Sequence, residues 1–256
     1  MDDPRYDFHI HCHHLGCANE TMQIPAIVAE CERIGVTAMA ITDHLNTPDK
    51  LDLHRPIPGE LRACRTDMDL YFGVEVNFMS CDGAFAFNEE VKAELGFQFA
   101  IGGIHNSYLD TYDAKKLVDI QHRHHLRVCQ DRLVDVLVHP YWFWRRPFED
   151  NGWPIFESMS LVPDAYAREL GQAARDTGTA IEINGDMVPG GGSYVDGYVE
   201  YLAAIAEEGA MFSVGSDAHD IGKLERIEST WRVVDQLNLS ADRIWSPNVA
   251  PINKSP

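Results

Sequence analysis

The sequence predicts an α/β fold, a distorted (β/α)7 barrel, from three observations. Short β-type runs recur along the chain, helical patterns fill the intervals between them, and 256 residues at 45% hydrophobic content match the size of one such barrel. Strand–helix alternation implies βαβ units and a parallel sheet. An open doubly wound sheet carries the same local signature, so periodicity alone does not close the barrel.

The β-type runs lie at 6–10, 38–42, 71–76, 99–104, 136–139, 180–183 and 211–215. The first helix is marked by Pro25 near its start, by an apolar stripe of Ile24, Ile27, Val28, Cys31 and Ile34, and by Gly35 placed to end it. A second stripe joins Val195, Tyr198, Val199, Leu202, Ile205 and Ala206, closed by Gly209. Two segments read as loops. Residues 142–153 are rich in aromatics, arginines and proline, and 187–193 carry Pro189 and three consecutive glycines. Both follow candidate strands, where substrate-facing loops of α/β proteins lie. With no repeat, low-complexity tract or linker, one domain over residues 1–256 is expected.

A formal charge of −19 opposes binding to a long nucleic acid, because that affinity comes largely from Lys and Arg neutralising phosphates. A small-molecule substrate is favoured, and a homo-oligomer is compatible with the composition. No apolar run approaches the roughly 20 residues that span a bilayer, and six scattered cysteines without paired spacing suit reduced thiols. A soluble, cytoplasmic protein without membrane partners is expected.

The chemistry is concentrated at the strand ends. His9 and His11 close the first run in DFHIH, His44 follows the second in AITDH, Glu75 lies in GVEVN, His105 in IGGIH, His139 in VLVHP, and Asp217 and His219 in VGSDAH. The sixth run ends in IEIN, with Asn184. C-terminal strand ends of a parallel sheet converge on one face, so residues distant in sequence meet there. His9 and His11, two apart on a strand, point to the same side and can bind one ion; Asp217 and His219 repeat the device. Imidazole and carboxylate suit Zn, Mn and Fe, and Glu75 can bridge two ions. A single histidine at a strand end is more often structural than ligating, but eight coordinating residues at six strand ends are not explained that way. His54, His122, His124 and His125, on polar loop- or helix-like segments, read as structural; His13 and His14 are left open.

The motifs DFHIHCHH, AITDHLN, GVEVN, GGIHNS, LVHPYW and GSDAH, running from residue 7 to 219, resemble the ordered motifs of the PHP (polymerase and histidinol phosphatase) family. The resemblance implies a TIM-like, distorted seven-stranded barrel, a trinuclear Zn, Mn or Fe centre, and hydrolysis of phosphate esters. It assigns His9, His11, Glu75 and Asp217 to one ion, Glu75, His105 and His139 to a second, and His44 and His219 to a third. In the first loop this chain departs from the pattern, offering Cys17 where a histidine or aspartate is usual. Cysteine suits Zn better than Mn, and His14 is the alternative ligand.

Two or three divalent ions and a metal-activated hydroxide are therefore expected to attack the substrate, with Asp43, Asp217 and His219 as the candidate catalytic set. Asp43 either orients a neighbouring imidazole or caps the turn after it. Arg145 and Arg146 are the candidates for gripping phosphate oxygens, against a reading as solvated loop arginines, and Trp142 is a candidate pocket wall. The leading expectation is a phosphomonoesterase or small phosphodiesterase. A lactone, amide or carboxylic ester hydrolase and a non-catalytic metal-binding accessory domain are the alternatives.

Overall fold

The computed structural model describes residues 5–254; the remaining residues of the expected 1–256 domain lie outside them. In chain order the elements are β1 Tyr6–Ile10, α1 Ile24–Arg33, β2 Ala38–Ile41, β3 His44–Leu45, α2 Leu51–His54, α3 Ile57–Ala63, β4 Asp69–Asn77, α4 Glu89–Leu95, β5 Phe99–Gly103, α5 Ala114–Cys129, β6 Val136–Leu137, α6 Arg145–Asn151, α7 Asp164–Thr177, β7 Ala180–Asn184, α8 Tyr198–Glu207, β8 Phe212–Gly215 and α9 Ile227–Gln236.

All strand pairs are parallel, in the order β1-β2-β4-β5-β6-β7-β8, with β3 resuming beside β4 where His44 pairs Glu75. The two outer strands meet at their C-terminal ends. Asp217 N–H donates to His9 C=O (2.9 Å) and His11 N–H donates to Ala218 C=O (3.2 Å). These bonds bring the first and last expected metal-ligand motifs together and leave a nearly closed barrel of seven parallel strands, with β3 as a continuation of β2.

The strand period of two sorts each side chain inward or outward. Outward residues, such as Leu70, Phe72, Val74 and Val76 of β4, join the apolar layer under the helices, where α1 contributes Ile24, Ile27, Val28 and Cys31. Inward residues divide by height. Phe8, Tyr71, Phe99, Ile101, Val136 and Ala180 fill the N-terminal half, with Phe8 and Phe99 edge-on to Trp245. Above this plug the same alternation delivers Glu75, Glu182, Asn184 and Asp217. A one-residue slip in the β1–β2 register between Asp7 and Ile10 is a bulge. It allows Phe8 to enter the plug while His9, the next residue, reaches the polar half.

Where 142–153 reads from sequence as a loop, residues Arg145–Asn151 form α6, ended by Gly152 at φ 63°. Its seven residues carry one buried side chain, Phe148, too little apolar periodicity to mark a helix in the sequence. Segment 187–193 contains no strand or helix. Among the described residues no helix is long and apolar enough to cross a membrane.

Candidate metal centre

The candidate ligands lie at the C-terminal mouth of the barrel in adjoining groups whose donor atoms fall within 4.8 Å of one another: His9, His11 and Asp217; His9, Glu75 and His139; His44, Glu75 and His105; and His11, Cys17, His44 and His219. Imidazole nitrogens face each other at 3.1 Å (His9 Nε2 and His11 Nε2) and 3.2 Å (His105 Nε2 and His139 Nε2). The oxygens Glu75 Oε2 and Asp217 Oδ1 stand 3.4 to 3.6 Å from the His9–His11 pair. Ligands held at about 2.0 to 2.2 Å around one ion are themselves separated by about 3 Å or slightly more, which is this spacing.

Glu75 is fully buried at the middle of the cluster. Its Oε1 lies 3.1 Å from His139 Nε2 and 3.3 Å from His105 Nε2, and its Oε2 lies 2.7 Å from His44 Nδ1. His44 Nδ1 nevertheless has no hydrogen-bond partner, so that short approach is not a hydrogen bond. Burial alone would neutralise Glu75, but the imidazoles of His44, His105 and His9 outweigh it and hold the carboxyl well below its usual range. Asp217 is held down likewise against burial by His9, His11 and His219. Among the described residues no Lys or Arg pairs with either carboxylate. Burial, with neighbouring imidazoles, pushes His105 down to about 4 and His219 to about 3, leaving their nitrogens free to ligate at neutral pH. Against burial, Glu182, Asp217 and Glu75 hold His9 up, Asp217 and Asp43 hold His11 up, and Glu75 holds His139 up, so these three would give up a proton on ligation. Buried carboxylates and imidazoles converging without a Lys or Arg make a donor set that fits divalent metal ions.

The backbone is shaped around this set. His139 and Asp217 have φ of 32° and 53°, a left-handed region that non-glycine residues rarely adopt and that recurs at functional sites. Gly103 lies where a Cβ would stand 2.6 Å from His139 Cε1, and at Gly215 a Cβ would meet Glu182 and His9. Only glycine leaves these side chains room.

Cys17 and His14 part company in the first loop. Gly16, at φ 72°, turns the chain after residues 13–15 so that Cys17 Sγ comes 4.0 Å from His11 Nδ1. His14 instead points to Glu60, with Nε2 2.8 Å from Oε1. The Asp43 side chain turns to the end of β1, not to the turn after it: its Oδ1 accepts from Cys12 N–H (2.7 Å) and lies 3.6 Å from His11 Nδ1. His54, His122, His124 and His125 are structural in placement, while His13 stays open, beside Cys12 and His14 in a further donor group. His54 is buried on α2, His122 stacks on Tyr166, His124 approaches Cys81 C=O, and His125 packs edge-on to Tyr141.

Glu182, inside IEIN, was not singled out from the sequence. Its Oε1 lies 2.7 Å from His9 Nδ1, while its Oε2 accepts from His139 N–H and Asn184 Nδ2, both at 2.9 Å. The signal was an acidic residue in the interior of an otherwise apolar run, as Glu75 is in GVEVN.

A cleft of about 570 Å³ opens over the centre, lined by His44, His105, Asp217, His219 and Cys17, by Trp142 and Trp144, and by the loops after β3, β4 and β5. Arg145 and Arg146 are not brought to it. They occupy the first two positions of α6, both exposed, with Arg146 Nε 3.6 Å from Asp150. Because helix formation turns these positions outward, the expected phosphate grip by this pair has no geometric support.

The PHP domain family model matches residues 9–184. The chain belongs to the PHP domain family. Among its relatives, a probable phosphatase of Tolumonas auensis is 26% identical, covering 98% of this chain and 91% of its own. A probable phosphatase of Caldanaerobacter subterraneus subsp. tengcongensis is 22% identical, covering 95% and 88%. The fold is similar to that of histidinol phosphate phosphatase from Lactococcus lactis, solved with zinc, L-histidinol and phosphate, at a TM-score of 0.61 and 16% identity over 98% of both chains.

Proposed function

We propose that this PHP chain is a metal-dependent phosphatase acting on a small phosphate ester, with the barrel-mouth centre as its active site. The division of Glu75 carries the reading. One oxygen faces His105 and His139 and the other faces His44, His9 and His11, so a single carboxylate joins neighbouring donor groups. Adjoining cations of this kind suit a substrate with several reacting oxygens. Phosphatase relatives and the zinc in the Lactococcus structure support the same reading.

In this reading His9, His11, Glu75 and Asp217 would hold one ion, Glu75, His105 and His139 a second, and His44, His219 and Cys17 a third. Bound there, the ions supply charge that acidifies water for attack and neutralises phosphate oxygens. Glu182 accepts the Nδ1 proton of His9 and so leaves Nε2 as the ligating atom. His219 Nδ1 similarly donates to Asp217 C=O (3.2 Å), and Asn184 Nδ2 donates to Asp217 Oδ2 (3.3 Å), fixing that carboxylate's rotation. His44, His105, Asp217 and His219 are partly exposed to the cleft, whereas His9, His11, Glu75 and His139 lie behind them. Substrate therefore enters over the first four.

After loading with Zn, Mn or Fe, the protein should release inorganic phosphate from phosphomonoesters and lose turnover on chelation. Cleavage of lactones or carboxylic esters without phosphate release, under the same loading, would replace this reading with the carbonyl one.

A further inference from the structure

Resting on the phosphatase reading, the cleft also describes the leaving group. Asp217 and His219 line the β8 side, whereas β3, β4, β5 and β6 are followed by loops that present amides and apolar rings. Beyond Asp217, no Asp, Glu, Lys or Arg among the described residues lines this cleft. Away from the metal centre, a charged group on the substrate would give up hydration there without a side-chain counter-charge, and the net −19 further disfavours a second anion.

What the cleft does offer is neutral. Asn77 Nδ2 donates to Asn46 Oδ1 (2.8 Å), which leaves the Asn46 amide N–H groups free and Asn77 Oδ1 without a partner, although Asn77 is only 6% exposed. Interchanging O and N in both amides would still leave one donor and one acceptor. Trp144 and Met79 are 56% and 48% exposed, two of only six large apolar side chains so exposed among the described residues. Two on one cleft mark an apolar contact surface rather than scattered exposure. The backbone at Trp144 is tied to the centre, since its main-chain N–H donates to the C=O of the candidate ligand His105 (3.0 Å), and the Met79 main-chain N–H closes its own loop on Ala84 C=O (2.9 Å). An indole and an adaptable thioether suit a flat ring.

We infer that the organic part of the ester is an uncharged aromatic group carrying a single phosphoryl, seated against Trp144 and Met79 and hydrogen-bonded by the Asn46–Asn77 pair. Second phosphates, carboxylates and ammonium groups are selected against.

The test compares four alkyl phosphates on the metal-loaded enzyme: 2-phenylethyl phosphate, its ring 4-carboxy and 4-aminomethyl analogues, and n-butyl phosphate. All four release a primary alcohol, so leaving-group chemistry is held nearly constant. Either ring charge is expected to lower kcat/KM at least about tenfold, and Trp144→Ala to lower the phenylethyl-to-butyl ratio roughly three- to tenfold through KM, the worth of an aromatic contact. Asn46→Lys, at an exposed position, is expected to raise kcat/KM for the 4-carboxy ester. Equal rates for charged and uncharged rings, or a ratio unmoved by Trp144→Ala, overturn the inference and leave the phosphatase standing. Phosphate release from none of the four overturns both.

Discussion

His9 Nδ1 and Glu182 Oε1 meet at 2.7 Å inside the barrel, although 173 residues separate them in the chain. The same carboxylate accepts the backbone N–H of His139, so it braces two candidate ligands at once. Glu182→Gln keeps the volume but loses the anion. Because groups that orient metal-bound imidazoles are typically worth about ten- to a hundredfold in metal affinity, the variant should bind metal that much more weakly with its fold intact. Competitive titration with a chromophoric chelator measures this; wild-type affinity would reduce Glu182 to a packing residue.

Glu75→Ala and Asp217→Ala should each lower turnover by at least about a hundredfold, because each removes an anionic donor shared within a buried cluster. Circular dichroism and bound-metal analysis separate a damaged centre from a damaged fold. Wild-type rates in either variant would show the active site to be elsewhere.

The seven strands were legible because each is a short, largely apolar run, and most of the candidate ligands because they stand at the ends of those runs, where parallel topology gathers them. Closure was not legible. It depends on two backbone hydrogen bonds between His9–His11 and Asp217–Ala218, which no local pattern encodes. The bulge in β1 is equally silent, since Phe8 and His9 then both face inward against strict alternation. Glu182 is harder to read because it precedes Asn184, the last residue of IEIN, although a carboxylate within a buried strand is the rarer sign. Cys17 against His14 turned on the left-handed Gly16, whose conformation depends on tertiary contacts.

The double variant Arg145→Ala/Arg146→Ala should change kcat/KM on a phosphomonoester by less than about threefold, as for exposed charges outside the pocket. The structure places both at the solvent-facing start of α6. A loss of about tenfold or more would mean that α6 rearranges over the substrate.

His125 makes the metal-free fold sensitive to acid. It is 1% exposed on α5, its Nδ1 has no partner, and burial, reinforced by His122, His124 and His139, holds its pKa well below the usual histidine value. The unfolded chain takes up this proton near pH 6.5, while the folded chain does not. Below about pH 6.5 the unfolded state therefore binds more protons, and stability falls with acidification by up to about 1.4 kcal/mol per pH unit from this group. Urea unfolding of metal-free wild type and His125→Leu between about pH 5 and pH 7.5 should show the variant losing less. Parallel curves would mean that His125 is protonated in the folded state.

Cys17 offers a sharper test of how the third ion is held. Its Sγ shares a donor group with His11, His44 and His219. Yet the cysteine itself is exposed, so substitution should disturb one position and little else. Cys17→Ala should lower zinc occupancy by about one equivalent while the ions around Glu75 stay bound, because His9, Asp217, His105 and His139 are unchanged. Cys17→Asp replaces a soft sulfur with a hard oxygen, and the preference at that position should move from Zn toward Mn. Metal analysis after reconstitution with equal Zn and Mn reads both effects. A full zinc complement in Cys17→Ala would show that His44 and His219 hold the third ion without the thiol, and an unchanged Zn-to-Mn ratio in Cys17→Asp would show that the first loop supplies no ligand.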